Sequence, residues 1–465
     1  MSVSASVLSP SDRSILAEFG RTKRKIAIAV KQKYGFFCRL QGFHENRPCD
    51  VAMVAFVPEK SRANVTPESE KCFDLIIYYD DAENTFEGLN SWDEIKLPNL
   101  HRFAGELVKL VPKEKIVFIH CEEFSQPEVC RVRERHGLEG AYVTDLHHIR
   151  NKDVAMTLAK KNGIPTAKSI IFNASELNCE IELAVDKIEA YIGGYPMFRR
   201  ATSMSLSRGA EKIPSREAFI TWMQTELDNS STNNFLIEEF LTGREFLATV
   251  ILLPGGSYEP LVVKYLEFGF SNVQHIQTGR PIPALVDSFY NSEEEFPNLL
   301  NFVAKVIAVF NPPAPQIFSV QGFQRTLKGD DYVLVEMAHR PTGARTNTAC
   351  FQSCGISQET ALFMAHIDLN YRPKVDPHWK RPSELALWFP ERKGVLESYT
   401  PLPDRENVKS EITAKWLKPL GSVMRQPVEV DKQMLILTLK CEDRSQLLED
   451  AKWIADNWRP VLKDY

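Results

Sequence analysis

Long apolar runs are missing from this sequence. No stretch approaches the roughly 18 consecutive apolar residues that a membrane span requires. The first twenty residues, MSVSASVLSPSDRSILAEFG, carry no apolar segment of the kind that opens a secretory leader. Paired cysteines are missing too. The nine cysteines are scattered without C-x-x-C spacing, which argues against a disulfide framework and for a reducing compartment. Cys350 and Cys354 stand four apart and would share a helix face. With no second ligand pair beside them, they read as buried thiols rather than a metal site. Positive charge is not in excess: 56 Lys and Arg stand against 61 Asp and Glu, a net −5. That leaves no basic footprint for nucleic acid or an anionic membrane, and an anionic small ligand would need a local basic pocket. No repeat of about 20–50 residues is apparent. These absences make a cytoplasmic protein the expectation.

What is present is an ordinary globular composition, 43% apolar and 25% charged over 465 residues, enough for about two to four domains. Residues 1–22 read as a mobile, Ser-rich tail. KIAIAV (25–30), VAMVAFVP (51–58), FDLIIYYD (73–80) and KIVFIH (115–120) are nearly continuous apolar runs, as strands covered on both faces are. A helical pattern, LHRFAGELVKLV, lies among them. The alternation predicts an N-terminal open parallel α/β domain over 23–145. Ser125 with Glu128, and Ser292 with Glu295, have the spacing of capping boxes. Residues 151–162 predict a helix stopped by Gly163.

The middle of the chain changes character. YPMFRRATSMSLSRGAEKI holds two strand-like ends around a Ser-rich loop. FLIEEFLTGREFLATVILL (235–253) holds two strands around Leu241-Thr242-Gly243-Arg244. Residues 296–310 have the spacing of an amphipathic helix. IFSVQGFQRT (317–326) and DYVLVE (331–336), joined by LKGD, predict a hairpin. A proline-rich polar stretch, YRPKVDPHWKRP, marks a boundary near 375. A strand (433–440) and a helix (445–458) after it predict a C-terminal α/β subdomain over 376–465.

The hairpin carries the most chemistry. Its second strand ends VLVEMAHRPTGA, so an apolar strand runs into Glu336, and Arg340 follows at a turn. Gln321, Gln324 and Glu336 offer oxygen ligands on adjacent strands, and Mg²⁺ needs few protein ligands. An arginine just beyond could meet a phosphate or a developing oxyanion. By itself the pattern reads first as a strand-end glutamate paired with a nearby arginine.

The order of segments adds to this. RNKDVAMTLAKKNGIPTAKS, YPMFRRATSMSLSRGA, FLIEEFLTGREF and the hairpin ending EMAHRPTGA resemble, in that order, the ATP-grasp superfamily. The nearest likeness is to its carboxylate–amine (amino-acid) ligase and carnosine synthase branch, with an echo of carbamoyl-phosphate synthetase in SVQGF and VEMAHR. The resemblance covers residues 115–375; over 25–114 only the α/β pattern fits. It implies a two-lobed ATP-grasp domain with antiparallel sheets over 146–375, its lid at about 165–235. Lys152 matches the lysine that opens a helix and touches nucleotide phosphate. Arg200 sits where the family has a second phosphate lysine, with Arg199 one register away. Ser207, Arg208 and Gly209 match the lid loop that closes on phosphates. Glu238, Glu239, Phe240 and Leu241 match the stretch whose backbone reads the adenine edge, and Glu245 the acid that accepts ribose hydroxyls. Glu336 matches a Mg²⁺ ligand. Arg340 matches the arginine that steadies the transferred phosphate.

Three positions depart from the family pattern. Arg200 replaces a lysine, and the two are not equivalent. Ala338 replaces an asparagine. The first metal acid is absent: counting back reaches Gly322, with Gln321 able to substitute if Gly322 is a bulge residue, and Gln324 a second candidate. The resemblance implies ATP and one or two Mg²⁺ ions, the departures weighing against the second. It implies small-molecule carboxylate and amine substrates joined through an acylphosphate, and a possible homodimer. The acyl and amine pockets would draw on the N-terminal domain and the loops after Arg340, with Arg345 and Asn347 as candidates. The alternative is a nucleotide-binding sensor or scaffold with a degenerate catalytic site. A biotin-dependent carboxylase fits poorly, because no biotinyl-lysine context is present and the lid is not glycine-rich.

Overall fold

The computed structural model describes residues 7–32, 36–37, 40–85, 94–173, 180–202, 210–228, 234–269, 278–343, 346–379, 383–426 and 432–464. Strands β1 (Lys25–Val30), β2 (Val51–Pro58), β3 (Leu75–Tyr79) and β4 (Ile116–His120) form one parallel sheet in the order β3-β2-β1-β4. Every residue of β2 is buried, as covering on both faces demands. Chain direction around the sheet reverses between β1 and β4. Open α/β sheets bind ligands at the carboxyl ends of strands beside such a switch. Here those ends lead to Lys31 and Gln32 on one side and Cys121 to Glu123 on the other.

The region read as a mobile tail contains a helix, Pro10–Thr22. Ser9 and Asp12 cap it reciprocally and Pro10 fills its first turn, which favours the helical start. Leu16 and Gly20 are buried, and Arg13 bonds Glu106 of the helix Pro98–Leu110. The two capping boxes read from spacing do not form. Ser125 makes no side-chain cap and donates instead to the carbonyl of Glu122 at 3.2 Å. Glu128 accepts from the Leu97 amide at 3.0 Å. The amphipathic helix begins at Leu299, after Asn298, and Glu295 accepts from Arg244 at 2.6 Å. In both cases a distant donor outcompetes the local one.

Two antiparallel sheets follow. The small one comprises β5 (Ser169–Asn173), β6 (Met197–Ala201), β7 (Glu211–Ile213) and β8 (Asn234–Glu239), in the order β5-β8-β6-β7. The large one takes up β9 (Arg244–Leu252), β10 (Tyr258–Leu266), β11 (Ile282–Ser288), β12 (Gln316–Gln324), β13 (Tyr332–Ala338), β14 (Ser383–Pro390), β16 (Glu411–Trp416) and β18 (Gln433–Cys441). Its order is β13-β12-β9-β10-β11-β14-β18-β16. The strands β14, β16 and β18 therefore extend the same sheet. A short ribbon pairs β15 (Gly394–Val395) with β17 (Val423–Met424).

Alternation along β9 and β12 divides the large sheet's faces. Phe246, Ala248, Val250, Phe318 and Val320 join the core beneath the helices Leu299–Phe310 and Arg444–Asn457. Ile251 and Ile317 join a different core, shared with Ala27 and Ala29 of the parallel sheet. The helix Gln358–Ile367 lies between those two sheets and is buried at every position but Thr360. Two of its polar side chains are paired: Gln358 with Thr342 at 2.7 to 3.0 Å, Glu359 with Lys31 at 3.2 Å. Buried polar groups need such partners. Among the described residues no helix is long and apolar enough to cross a membrane. Cys350 and Cys354 lie buried in the helix Thr346–Cys354 with their sulfurs 3.7 Å apart.

Candidate active site

The hairpin β12–β13 is regular except at one place. Gln321 pairs with Glu336, but the next residue, Gly322, pairs with Leu334. The extra residue is therefore Val335, on the strand opposite the one the sequence suggested. Gly322 is not the inserted residue. Its vacant side faces Phe246, where a Cβ would stand 2.7 Å from a ring carbon. An acid there would have to displace the core, so Gly322 cannot supply the missing metal ligand.

The bulge brings Gln321 directly across from Glu336, on one face of the sheet. Cross-strand neighbours so placed have their side chains within reach. The Gln321 amide donates to Glu245 at 2.7 Å, and Glu245 is buried. Gln324 lies an odd number of residues from Gln321 and faces the other way. It is fully buried and donates to the carbonyls of Glu295 and Gly329 at 2.7 and 2.8 Å. It does not join the other candidates.

Lys152 begins the helix Lys152–Lys161. Its Nζ stands 4.0 Å from Glu336 Oε2, with the lysine side chain 12% exposed and the glutamate 43%. Burial pushes the Lys152 ammonium below its ordinary range, and the Glu336 carboxylate opposes that shift. The pair is thus a nearly buried cation beside a half-exposed acid.

Arg200, on β6, presents its guanidinium to both carboxylate oxygens of Glu238 on β8, at 2.7 and 3.0 Å. Both side chains are buried. The remaining edge donates to the carbonyl of Val335 at 3.2 Å. Arg199 turns away: it bonds Glu211 at 2.5 Å and lies over Trp222. The register reading that chose Arg200 therefore selects the arginine that reaches the hairpin.

The segment from Glu238 to Leu241 leaves β8 beside this pair. Glu239 accepts from the Lys168 amide at 3.0 Å and from Arg325 at 2.6 Å. Phe240 packs near Phe198, with Lys212 above its ring at 4.7 Å. The chain then turns at Gly243, whose φ is +114°. A Cβ there would overlap the carbonyl oxygen of Gln324. Only glycine permits both the left-handed backbone and the close approach. Gly243→Ala is expected to cost about 2 kcal/mol or more in urea unfolding. Gly255→Ala, at φ +86° in open space, is the control and should cost about half as much, because it adds backbone strain without overlap.

Arg340 lies just beyond β13. It donates to Glu123 at 2.6 and 3.2 Å. Glu123 follows β4 at the switch of the parallel sheet, and sequence reasoning missed it; the acid pair Glu122-Glu123 directly after an apolar strand is the signal that was available. The turn carrying Arg340 is fixed from behind. The His339 carbonyl accepts from Gln126 at 2.7 Å and lies 2.9 Å from His120 Nε2. Ala338 pairs with Ser319, and the hydroxyls of Ser319 and Thr249 stand 3.3 Å apart on the Gln321 face. Asn347 accepts from the Gln358 amide at 3.1 Å. Ser207, Arg208, Gly209 and Arg345 lie outside the described residues. Among the described residues no group of three or more His, Cys, Asp or Glu side chains could hold a metal; a site here would combine Glu336 with the Gln321 amide.

No family model matches the chain. One curated relative, D-alanine–D-alanine ligase of Acetivibrio thermocellus, is 29% identical over 133 residues. The match spans 25% of this chain and 34% of that protein, about a third of its length. Likeness among solved structures is broader. L-amino acid ligase from Bacillus licheniformis matches with a TM-score of 0.63 at 13% identity, covering 95% of this chain and 100% of that one. N5-carboxyaminoimidazole ribonucleotide synthetase from Thermotoga maritima matches at 0.53 and 16%, covering 95% and 99%. The biotin carboxylase domain of the Hydrogenobacter thermophilus 2-oxoglutarate carboxylase, solved with MgADP and bicarbonate, matches at 0.57 and 14%, covering 90% and 86%. A parallel sheet, a small antiparallel sheet and a large antiparallel sheet, in that chain order, give this protein the fold of the ATP-grasp ligases.

Proposed function

We propose that the protein binds Mg-ATP between its small and large antiparallel sheets and joins a carboxylate to an amine. One observation carries this reading. Lys152, Arg200, Glu245, Gln321 and Glu336 come from separate segments, yet they meet around one stretch of β9, β12 and β13. In this reading Lys152 and Arg200 face the triphosphate, Glu245 takes the ribose hydroxyls, and the backbone of 238–241 reads the adenine edge. Ser207 and Gly209 belong to the lid over the phosphates.

The oxygens present suit Mg²⁺. Glu336 is half-exposed and Gln321 stands across from it, and this ion fills the rest of its shell with water and phosphate oxygens. When bound, it would offset charge where a carboxylate approaches the γ-phosphate. Lys152 adds a second positive group at that place. Arg340 would hold the oxygen that gains charge when the amine attacks the acylphosphate. Glu123 fixes the guanidinium for that task.

A specific feature supports the alternative, a sensor or scaffold. Both oxygens of Glu238 occupy the Arg200 fork, so less of its charge is free for phosphate than a lysine would offer. The experiment combines ATP, Mg²⁺ and pooled carboxylates and amino acids, then follows ADP release and new product masses. ADP with a new amide mass is the result expected of the ligase. Calorimetric binding of ATP without ADP release assigns the sensor. Absence of ATP binding overturns both.

A further inference from the structure

We propose that two copies of this chain join edge to edge through β16, making one continuous sheet across a twofold axis at Thr413. β16 closes the large sheet's order, paired with β18 on one side only. Glu411, Thr413, Ala414 and Lys415 are exposed. An exposed edge offers a row of open backbone groups to another strand.

The ladder itself limits how a second copy can pair. Leu417 donates to the Met434 carbonyl at 2.9 Å, continuing the register in which Lys415 faces Ile436 and Thr413 faces Thr438. Hydrogen-bonded pairs alternate in an antiparallel ladder. The odd-numbered residues therefore bond inward to β18, and Ile412, Ala414 and Trp416 turn their amides and carbonyls outward. A symmetric antiparallel partner must bond through those even-numbered residues. Of the twofold registers that meet this condition and centre within the strand, centring at Thr413 sets Ile412 against Ala414 of the second copy, and the reverse. That makes four backbone hydrogen bonds.

Centring at Ala414 would pair Ile412 with Trp416 and Ala414 with its own copy in six such bonds, so it is charge that singles out the Thr413 register. With the axis at Thr413, Glu411 of each copy faces Lys415 of the other in a non-hydrogen-bonded pair, where Cα atoms come within about 4.5 Å. Thr413 faces its own copy, and the pairing stops short of Ser410, which is buried with its amide on Asp450 at 2.6 Å and its carbonyl on Arg405 at 3.0 Å. Shifting the axis to Ile412 or Ala414 removes both ion pairs. Neither Glu411 nor Lys415 has an ion pair within its own chain among the described residues. Lys440, opposite Glu411 across the ladder, turns to Glu384 at 3.7 Å instead. Tyr399 stacks on Trp416 at 4.8 Å and adds apolar surface at the end of the contact, its own ring 47% exposed. So short a pairing is small beside permanent dimer interfaces, so the association should depend on concentration.

Sedimentation velocity on the full chain tests this at up to about 100 µM, a range suited to a weak interface. The wild type should pass from monomer to dimer. Glu411→Lys alone and Lys415→Glu alone each set like charges opposite one another twice, and each should weaken association by about tenfold to a hundredfold. Mixing the two single variants restores opposite charges at both places, so the mixture should form a heterodimer of near wild-type affinity. Both substitutions lie on an exposed edge, and unchanged circular dichroism melts confirm that each variant folds. A wild type that stays monomeric overturns the proposal. So does a dimer indifferent to the single variants, or a mixture that fails to recover.

Discussion

Glu336→Ala is expected to lower carboxylate-dependent ADP release on the order of a thousandfold, the loss typical when a site gives up a main electrostatic partner. The argument is local. Glu336 is the single carboxylate on the exposed face of β13, and the residue across from it, Gln321, is neutral. An amide holds Mg²⁺ less firmly than an acid, so little remains to replace it. Lys152 also loses the carboxylate that offsets its burial, and its ammonium shifts further toward the neutral form. ATP affinity in the absence of divalent metal should fall less than tenfold, because Arg200, Glu245 and the 238–241 segment are untouched. Glu336→Gln, which keeps size and removes charge, should match the alanine variant in turnover. Titration with Mn²⁺ in the presence of ATP checks the metal directly. Unchanged turnover and unchanged metal affinity in both variants would mean that the cleft has been placed on the wrong residues.

The second large effect is acid sensitivity. His120, His339 and His366 are buried in one region, near Arg133. Burial holds His339 down at about 4 and holds the other two well below the ordinary histidine range; Arg133 adds to the shift at all three, and Lys25 adds to it at His366. These groups are neutral in the folded protein. The unfolded chain takes up protons as pH falls below about 6.5, while the folded chain does not. Stability is therefore fully present above that pH and declines below it, until the folded pKa values are reached. Three such groups give a slope of about 4 kcal/mol per pH unit, from about 1.4 for each proton. That is a large share of a typical folding free energy of about 5–15 kcal/mol. Urea midpoints followed by tryptophan fluorescence between pH 7.5 and 5.0 measure it. His339→Gln keeps a donor for the Pro313 carbonyl, which lies 2.6 Å from His339 Nε2, and should flatten the slope by about a third. An unchanged slope would place the proton uptake elsewhere.

Much of the candidate site could be proposed from the sequence because its signals are local. The apolar run into Glu336, the four-residue step to Arg340, the glycine turn before Glu245 and the helix opening at Lys152 are each written within a dozen residues. What could not be read depends on partners far along the chain. The hairpin's extra residue is Val335 because Gly322 must clear Phe246 on β9 and because Arg200 on β6 takes the Val335 carbonyl. The spacing of β12 and β13 contains neither fact. Gln324 is a second candidate in the sequence, on the face of Gly322, and the structure buries it in the core. Arg200 and Glu238 read as separate nucleotide contacts, whereas diagonal placement on β6 and β8 makes them an ion pair. Glu123 belongs to another sheet. The helix Pro10–Thr22 was hidden by serine-rich flanks, although Ser9, Pro10 and Asp12 spell its start.

Besides the Glu239–Arg325 pair, the small sheet meets the hairpin at two places close to Glu336. Its entering strand is held where Leu334 donates to Pro165 at 2.8 Å and Thr166 bridges to Leu334. The Arg200 guanidinium grips the next residue, Val335. Both anchor points immediately precede Glu336. A lobe so attached would act as a lever whose fulcrum is the backbone bearing the acid. Swinging the lobe over a guest molecule would turn that carboxylate at the same moment, so closing the mouth and aiming the proposed metal ligand would become a single movement.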